Sequence, residues 1–267
     1  MRITGQEIAD QRILLFGAGQ AGIGIGNTIV AAMIAQGIPP EQARESCWFF
    51  DSQGLLVSDR DQIPAQKQPY AHAHPPVQTL DDAVHQLKPT ALIGCAGQPG
   101  VFTEQLIRAM AELNERPVIF ALSNPTANCE CTAEQAYRGT EGRAIFASGS
   151  PFEAVQMGNK TYVPGQGNNA YIFPGVGLGA VASRSSRVTD DMFLAAANIL
   201  AEQVSEEDLA LGRIYPSLSR VREVSALIAA EVAAIAYNEG LAQRERPGDI
   251  LADIRQQMFQ PIYPHYA

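Results

Sequence analysis

No apolar run in this chain of 267 residues approaches the roughly 20 residues that a membrane-spanning helix needs. No apolar segment behind a basic start marks a secretory signal. The sequence therefore predicts a soluble, unexported, cytoplasmic protein. Charge is also scarce: 18% of residues are charged and 46% are hydrophobic, against about 25% charged in an ordinary soluble domain. Part of the surface is expected to face another polypeptide segment. The net charge of −9 weighs against nucleic acid or an anionic membrane as partner, though it leaves room for an anionic ligand in one local pocket. Cysteine is sparse. Cys47, Cys95, Cys129 and Cys131 form no C-x-x-C, and the first two lie in strand-like runs, so free buried thiols in a reducing compartment are predicted. Cys129 and Cys131 flank Glu130 with no histidine or second cysteine pair beside them, and no metal site is expected there. Neither an internal repeat nor a low-complexity linker interrupts the chain.

What is present begins with Gly17-Ala18-Gly19-Gln20-Ala21-Gly22, which follows the apolar run Ile13–Phe16 and opens a helical stretch reaching about Gln36. Strand, glycine-rich turn and helix together form the dinucleotide-binding context for G-x-G-x-x-G. Gly17 allows the tight turn, Gly19 lets backbone approach a pyrophosphate, and Gly22 lets helix pack on strand. The helix start offers N–H groups and a partial positive charge to phosphates. Asp51, ending the run from Cys47, supplies the acid that accepts from ribose hydroxyls. It lies 29 residues past Gly22, further than the usual ~20, and a short extra helix beginning at Pro39-Pro40-Glu41 accounts for the difference.

Further short apolar runs end in small or turn residues: Ala91–Ile93 before Gly94–Gly100, Val118–Leu122 before Ser123–Thr126, and Ala144–Ala147 before Ser148–Pro151. Helices follow the first two, from about Thr103 and about Ala133. Strands alternating with helices predict an α/β, Rossmann-like, doubly wound parallel sheet. Thr79 with Asp82 and Thr132 with Gln135 have capping-box spacing, and Thr103 and Thr189 are further N-cap candidates. From about Thr189 the pattern becomes helical only, over Met192–Val204 and Val221–Tyr237. The expected division is a dinucleotide-binding domain over 1–188 and a helical extension over 189–267, packed on it as one continuous unit. The tail from Met258 to Ala267, with three aromatics and two prolines, reads as an extended arm.

Ligands of such sheets bind beyond the C-terminal strand ends, so four loops should converge: Gly17–Gly22, Asp51, Gly94–Gly100 and Ser123–Thr126. Asn124 is short, uncharged and able both to donate and to accept; Asn before Pro is equally ordinary turn chemistry. Asn168 and Asn169, in Gly165-Gln166-Gly167-Asn168-Asn169, either cap the helix that follows or present donors to an anionic substrate.

Taken together, Ile13–Gly22, Trp48–Gly54, Lys88–Ala96, Asn114–Gln135, Gly142–Phe152 and Pro164–Gly179 resemble the cofactor domain of malic enzymes. The stretches Ala121-Leu122-Ser123-Asn124-Pro125-Thr126 and Pro164–Asn169 are the most specific part, and the resemblance covers essentially the whole chain. It implies that Asn124 contacts the nicotinamide and substrate region and that Asn169, with Asn168 beside it, binds the substrate carboxylate. It implies that Gly94–Gly97, with Cys95 and Ala96 between them, line the cofactor ribose. It implies malate and pyruvate as substrate and product, a homo-oligomer, and NADP or NAD as cofactor. Asp51 alone favours NAD; Asp51-Ser52-Gln53-Gly54 and Gln66-Lys67-Gln68 resemble the NADP-preferring branch, in which a lysine at the place of Lys67 pairs with the 2′-phosphate. The family's catalytic tyrosine, lysine base, substrate arginine and three metal carboxylates lie upstream of the matched stretches. Lys67, Lys88 and Lys160 stand outside the catalytic context. An N-terminal domain and a Mg2+ or Mn2+ ion are therefore expected in the full-length enzyme only. Malolactic enzyme, which shares the motifs, and a stand-alone dinucleotide-binding module are the alternatives.

Overall fold

The computed structural model of the protein describes residues 3–260. Residues 261–267 of the tail expected to be an arm lie outside them. Elements follow the chain as β1 (Ile13–Phe16), α1 (Gln20–Ala35), α2 (Pro40–Glu45), β2 (Cys47–Asp51), β3 (Gly54–Leu55) and α3 (Leu80–Leu87). Next come β4 (Ala91–Gly94), α4 (Glu104–Leu113), β5 (Val118–Ala121), α5 (Ala133–Gly139) and β6 (Ile145–Ser148). A hairpin of β7 (Val155–Met157) and β8 (Lys160–Tyr162) precedes β9 (Gly165–Gln166). Helices follow: α6 (Phe173–Ser183), α7 (Asp190–Glu202), α8 (Glu206–Ala210), α9 (Val221–Asn238) and α10 (Ile250–Gln257). No helix among the described residues is long and apolar enough to cross a membrane.

Contacts divide the chain into two compact units, one comprising residues up to Asn168 together with Glu206–Tyr215, the other Asn169–Ser205 with the residues from Pro216 onward. The first holds a seven-stranded sheet in the order β3-β2-β1-β4-β5-β6-β9. All neighbours are parallel except β3, which returns antiparallel against β2. The order reverses between β1 and β4, the switch point of a doubly wound sheet.

The apolar strands read as continuous runs rather than alternations because both faces are covered. Leu14, Phe16, Leu92, Ile119, Ala121 and Phe146 pack on one face against Val84 of α3, Leu106 and Met110 of α4, and Tyr137 of α5. Ile13, Leu15, Ala91, Ile93 and Phe49 pack on the other against Ile23, Val30 and Met33 of α1 and Ala43 of α2. Thr103 and Thr132 cap α4 and α5 as expected, Thr132 and Gln135 forming a complete capping box. Thr79 caps α3 through the Asp82 N–H, without the reciprocal bond. Thr189 occupies the N-cap of α7, but its side chain caps nothing.

The second unit is helical. Glycine brings α6 against α9: a Cβ at Gly175 would lie 2.7 Å from the Ile228 Cβ, and one at Gly179 would lie 2.6 Å from the Ala229 carbonyl oxygen. Close backbone approach of this kind is why the helix beginning at Phe173 belongs with the later helices. The boundary therefore falls at Asn168/Asn169, not at the expected 188/189. Residues 206–215 return to the sheet unit, where the Val163 N–H donates to the Leu211 carbonyl at 2.9 Å. In the helical unit α10 is held by Ile254, buried with Ala182, Ala226 and Ala229. Arg244 adds a forked pair to Asp253, with both contacts 2.8 Å.

Candidate functional site

The glycine-rich turn joins β1 to α1 as the motif demands. Gly17 has φ +123°, a region closed to side chains, and a Cβ there would meet Cys95 Sγ at 3.0 Å and the Ala96 nitrogen at 3.2 Å. At Gly22 a Cβ would stand 1.9 Å from the Gly17 carbonyl oxygen. Gly19 is different: nothing lies within 4 Å of its Cβ position, which leaves open space where a pyrophosphate needs to approach. No side chain caps α1 and no acidic residue occupies its first turn. Its N-terminus, at Gln20 and Ala21, is thus ready for an anion.

At the end of β2 the structure adds to the sequence reading. Asp51 does not stand alone. Its Oδ2 accepts from Lys67 Nζ at 2.8 Å and its Oδ1 from Arg60 at 3.0 Å and from the Gln53 N–H at 3.0 Å. Lys67 is carried there by a 3-10 helix over Ala65–Tyr70. Arg60 is fixed by two further bonds, from Nε to the Leu55 carbonyl at 3.1 Å and from its second terminal nitrogen to the Gly54 carbonyl at 2.6 Å. The three side chains retain only 14%, 19% and 12% of their exposure for Asp51, Lys67 and Arg60. Burial acts to raise the Asp51 pKa, but the bonds from Lys67, Gln53 and Arg60 outweigh it and hold the carboxyl below the usual carboxylate range. These groups line a cleft of about 660 Å³ with Gln53, Gln62, Gln68 and Asp61. Asp61 is exposed and pairs with neither cation; Ser52 is exposed beside Asp51. Two cations on one carboxylate leave the Asp51–Arg60–Lys67 group with one formal positive charge, beside the Asp61 carboxylate in the same cleft.

Across the switch point, the loops after β4 and β5 are stitched together. Cys95, half-buried, places its Sγ 3.5 Å from the Gly17 carbonyl oxygen. Burial, and after it the nearby Glu130 carboxylate, pushes this thiol up to about 11, so the sulfur stays protonated near neutral pH. Ala96 and Gly97 are exposed. The Gly97 N–H donates to Ser123 Oγ at 2.8 Å, and the Ser123 hydroxyl donates in turn to buried Glu130. Asn124 is exposed; its Oδ1 accepts from Ser150 Oγ at 2.9 Å and its carbonyl from Asn128 Nδ2 at 3.2 Å. That fixes the amide with its nitrogen available as a donor. Gly149 is required beside it, because a Cβ there would lie 2.3 Å from the Leu122 carbonyl oxygen and 2.9 Å from Asn124 Nδ2.

The predicted residues of the first unit therefore gather at the C-terminal strand ends: Gly17, Gly19, Gln20, Ala21 and Gly22 after β1, Asp51 ending β2 with Ser52 beside it and Lys67 paired to it, Cys95–Gly97 after β4, and Asn124 after β5. Asn168 is exposed just after β9, in the same unit; Asn169 opens a 3-10 turn in the helical unit. Neither caps α6, whose N-cap is Ile172. Sequence reasoning missed Arg60 and Glu130. All four cysteines are free thiols, and no group of three metal-ligating side chains occurs among the described residues.

Comparison with known proteins agrees with this geometry. A family model described as malic enzyme, NAD binding domain, matches residues 1–237. The NADP-dependent malic enzyme of Vitis vinifera is 50% identical over 269 residues, covering 100% of this chain and 46% of the relative. The human NADP-dependent malic enzyme is 47% identical over 265 residues, covering 98% and 46%. The chain thus spans about half the length of these relatives. Among solved structures, Pyrococcus horikoshii malic enzyme superposes with TM-score 0.70 at 26% identity, over 96% of this chain and 55% of that one. Entamoeba histolytica malic enzyme gives TM-score 0.73 at 24% identity, over 96% and 50%, a likeness of fold. The chain belongs to the malic enzyme NAD-binding domain family.

Proposed function

We propose that this chain is the cofactor-binding half of an NADP-dependent malic enzyme, which converts malate to pyruvate and CO2 once segments outside the chain complete the site. The observation that carries the reading is the cluster at the end of β2. A lone acid there accepts from the ribose 2′-OH and repels a 2′-phosphate, whereas Asp51 is matched by both Arg60 and Lys67. Lys67 spends one of its three donors on Asp51, leaving two for a phosphate. The names of the similar plant and human enzymes point the same way.

The groups present fit a dinucleotide. The turn at Gly17–Gly22 leaves room for backbone to meet the pyrophosphate, α1 supplies its uncapped N-terminus, and Asn124 supplies a fixed amide on the far side of the switch point. When bound, the nicotinamide provides hydride acceptance from the carbon bearing the malate hydroxyl. Asn124 then orients the ring and substrate, and Asn168 donates to the substrate carboxylate. None of the lysines in this chain is arranged as a base: Lys67 is ion-paired, Lys88 ends α3 in a left-handed conformation, and Lys160 lies 4.8 Å over the Tyr162 ring. The proton-transfer groups and divalent-ion ligands belong to the other half of the enzyme, which assembles as a homo-oligomer. The test is an assay of the full-length gene product with malate and each cofactor. NADPH and pyruvate formed together support the reading; lactate without net cofactor reduction replaces it with a malolactic enzyme.

A further inference from the structure

Glu130 is fully buried, and no cation lies within ion-pair distance of it among the described residues. Burying a carboxylate without a counter-ion is costly, so its position needs a reason. Its carboxyl occupies the space that a Cβ of Gly94 would take, with Glu130 Cγ and Cδ both 2.5 Å from that point. Both of its oxygens accept from Ser123: one from the hydroxyl, the other from the N–H at 3.3 Å. Ser123 Oγ accepts the Gly97 N–H at 2.8 Å, and the Glu130 carbonyl accepts the Phe102 N–H at 3.0 Å. One buried acid therefore underlies the loops after β4 and β5 at once.

We propose that Glu130 acts as a buried electrostatic positioning residue that makes this site favour the oxidised over the reduced dinucleotide. The inference rests on the dinucleotide reading above. In a doubly wound sheet the dinucleotide lies across the switch point. With the adenosine end at Asp51 on β2, the nicotinamide end falls over the loops after β4 and β5. The oxidised ring carries one positive charge and the reduced ring none, so a fixed anion beneath these loops discriminates between them. At an effective dielectric of ~20, a unit charge within roughly 10 Å of another shifts affinity by about tenfold or more, which sets the size of effect to look for. Ser123 holds the acid through its hydroxyl and its N–H, while the charge itself comes from Glu130. A strap with no electrostatic role would weaken both redox forms alike.

The experiment is titration of the protein with NADP+ and NADPH, comparing wild type with Glu130→Gln, Glu130→Asp and Ser123→Ala. Glu130→Gln keeps the shape and removes the charge; it should weaken NADP+ by about tenfold and leave NADPH within twofold. Glu130→Asp, which keeps the charge, should retain the wild-type ratio of the two affinities. Ser123→Ala should weaken both forms together and leave that ratio unchanged. Equal losses for both forms in Glu130→Gln, or an unchanged ratio, overturn the inference. Wild type binding neither form overturns the dinucleotide reading instead. If Glu130→Gln does not fold, infrared difference spectra of wild type between the two bound forms decide. A shifted ionised-carboxylate band supports the proposal, and its absence, or the carbonyl band of a neutral acid, refutes it.

Discussion

Replacing Arg60 by glutamine separates two ways in which a basic cluster can select NADP. Arg60 has three donors committed, to Asp51 at 3.0 Å, the Gly54 carbonyl at 2.6 Å and the Leu55 carbonyl at 3.1 Å. It cannot leave for a phosphate without abandoning two backbone acceptors. Among the described residues Lys67 makes one hydrogen bond, to Asp51 at 2.8 Å, and its ammonium can pivot. On the proposed NADP reading Arg60 is the standing counter-ion of Asp51, and Lys67 is the group that meets the 2′-phosphate. Charge-assisted hydrogen bonds contribute about 1.5–3 kcal/mol, so Lys67→Gln should weaken NADP by roughly ten- to 150-fold and NAD by less than twofold. Arg60→Gln should weaken NADP by a smaller factor of about five to tenfold, because Lys67 is then held by an otherwise unpaired Asp51. Calorimetric titration of both cofactors against single and double variants is the assay. In an Asp51→Asn background the Arg60→Gln penalty should vanish, since nothing is left for Arg60 to neutralise. A penalty of full size in that background would falsify the division of roles, because Arg60 would then touch the phosphate itself.

The turn glycines make a matched pair. Gly22→Ala places a methyl 1.9 Å from the Gly17 carbonyl oxygen and should destabilise the fold by about 1–3 kcal/mol in denaturant unfolding. Gly19→Ala meets nothing within 4 Å, so its unfolding midpoint should stay at wild type while affinity for either cofactor falls; an equal loss of stability in both refutes the reading. Asp51, whose folded pKa is depressed, contributes stability that is complete above its unfolded value near ~3.9 and is lost as pH falls through the lower folded value. The wild-type advantage over Asp51→Asn in thermal unfolding should therefore be flat near neutrality and shrink below about pH 4; an advantage that stays undiminished as the pH falls contradicts it.

The parts of the fold legible in the sequence are those set by neighbours in the chain. Gly17, Gly19 and Gly22 sit between an apolar strand and a helix, and Thr132 with Gln135 caps its own helix; three or four residues carry each signal. Arg60 carries none. Its pairing with Asp51 depends on the chain reversing at β3, where Gly54 has φ +90° and a Cβ would lie 2.3 Å from the Val77 carbonyl oxygen. Glu130 carries no local signal between Cys129 and Cys131: it accepts from the Ser123 hydroxyl, whose oxygen accepts the Gly97 N–H, a chain of bonds that exists only once the loops are folded together. The boundary at Asn168/Asn169 depends on Gly175 and Gly179 meeting Ile228 and Ala229 some fifty residues later, a contact that local periodicity does not encode. The family resemblance supplied roles for Asn124, Asn168 and Asn169 that spacing alone left open. For Asn124 the Ser150 bond gives that role a fixed amide.

The central claim is that the Asp51–Lys67 pair belongs to an NADP site. Its most direct measurement is the ratio of NADP to NAD dissociation constants for wild type and Lys67→Gln, at one ionic strength. Wild type should bind NADP more tightly than NAD, and the ratio should collapse by at least about tenfold in Lys67→Gln through loss of NADP affinity alone. A wild type that prefers NAD, or a substitution that leaves NADP affinity unchanged, contradicts it.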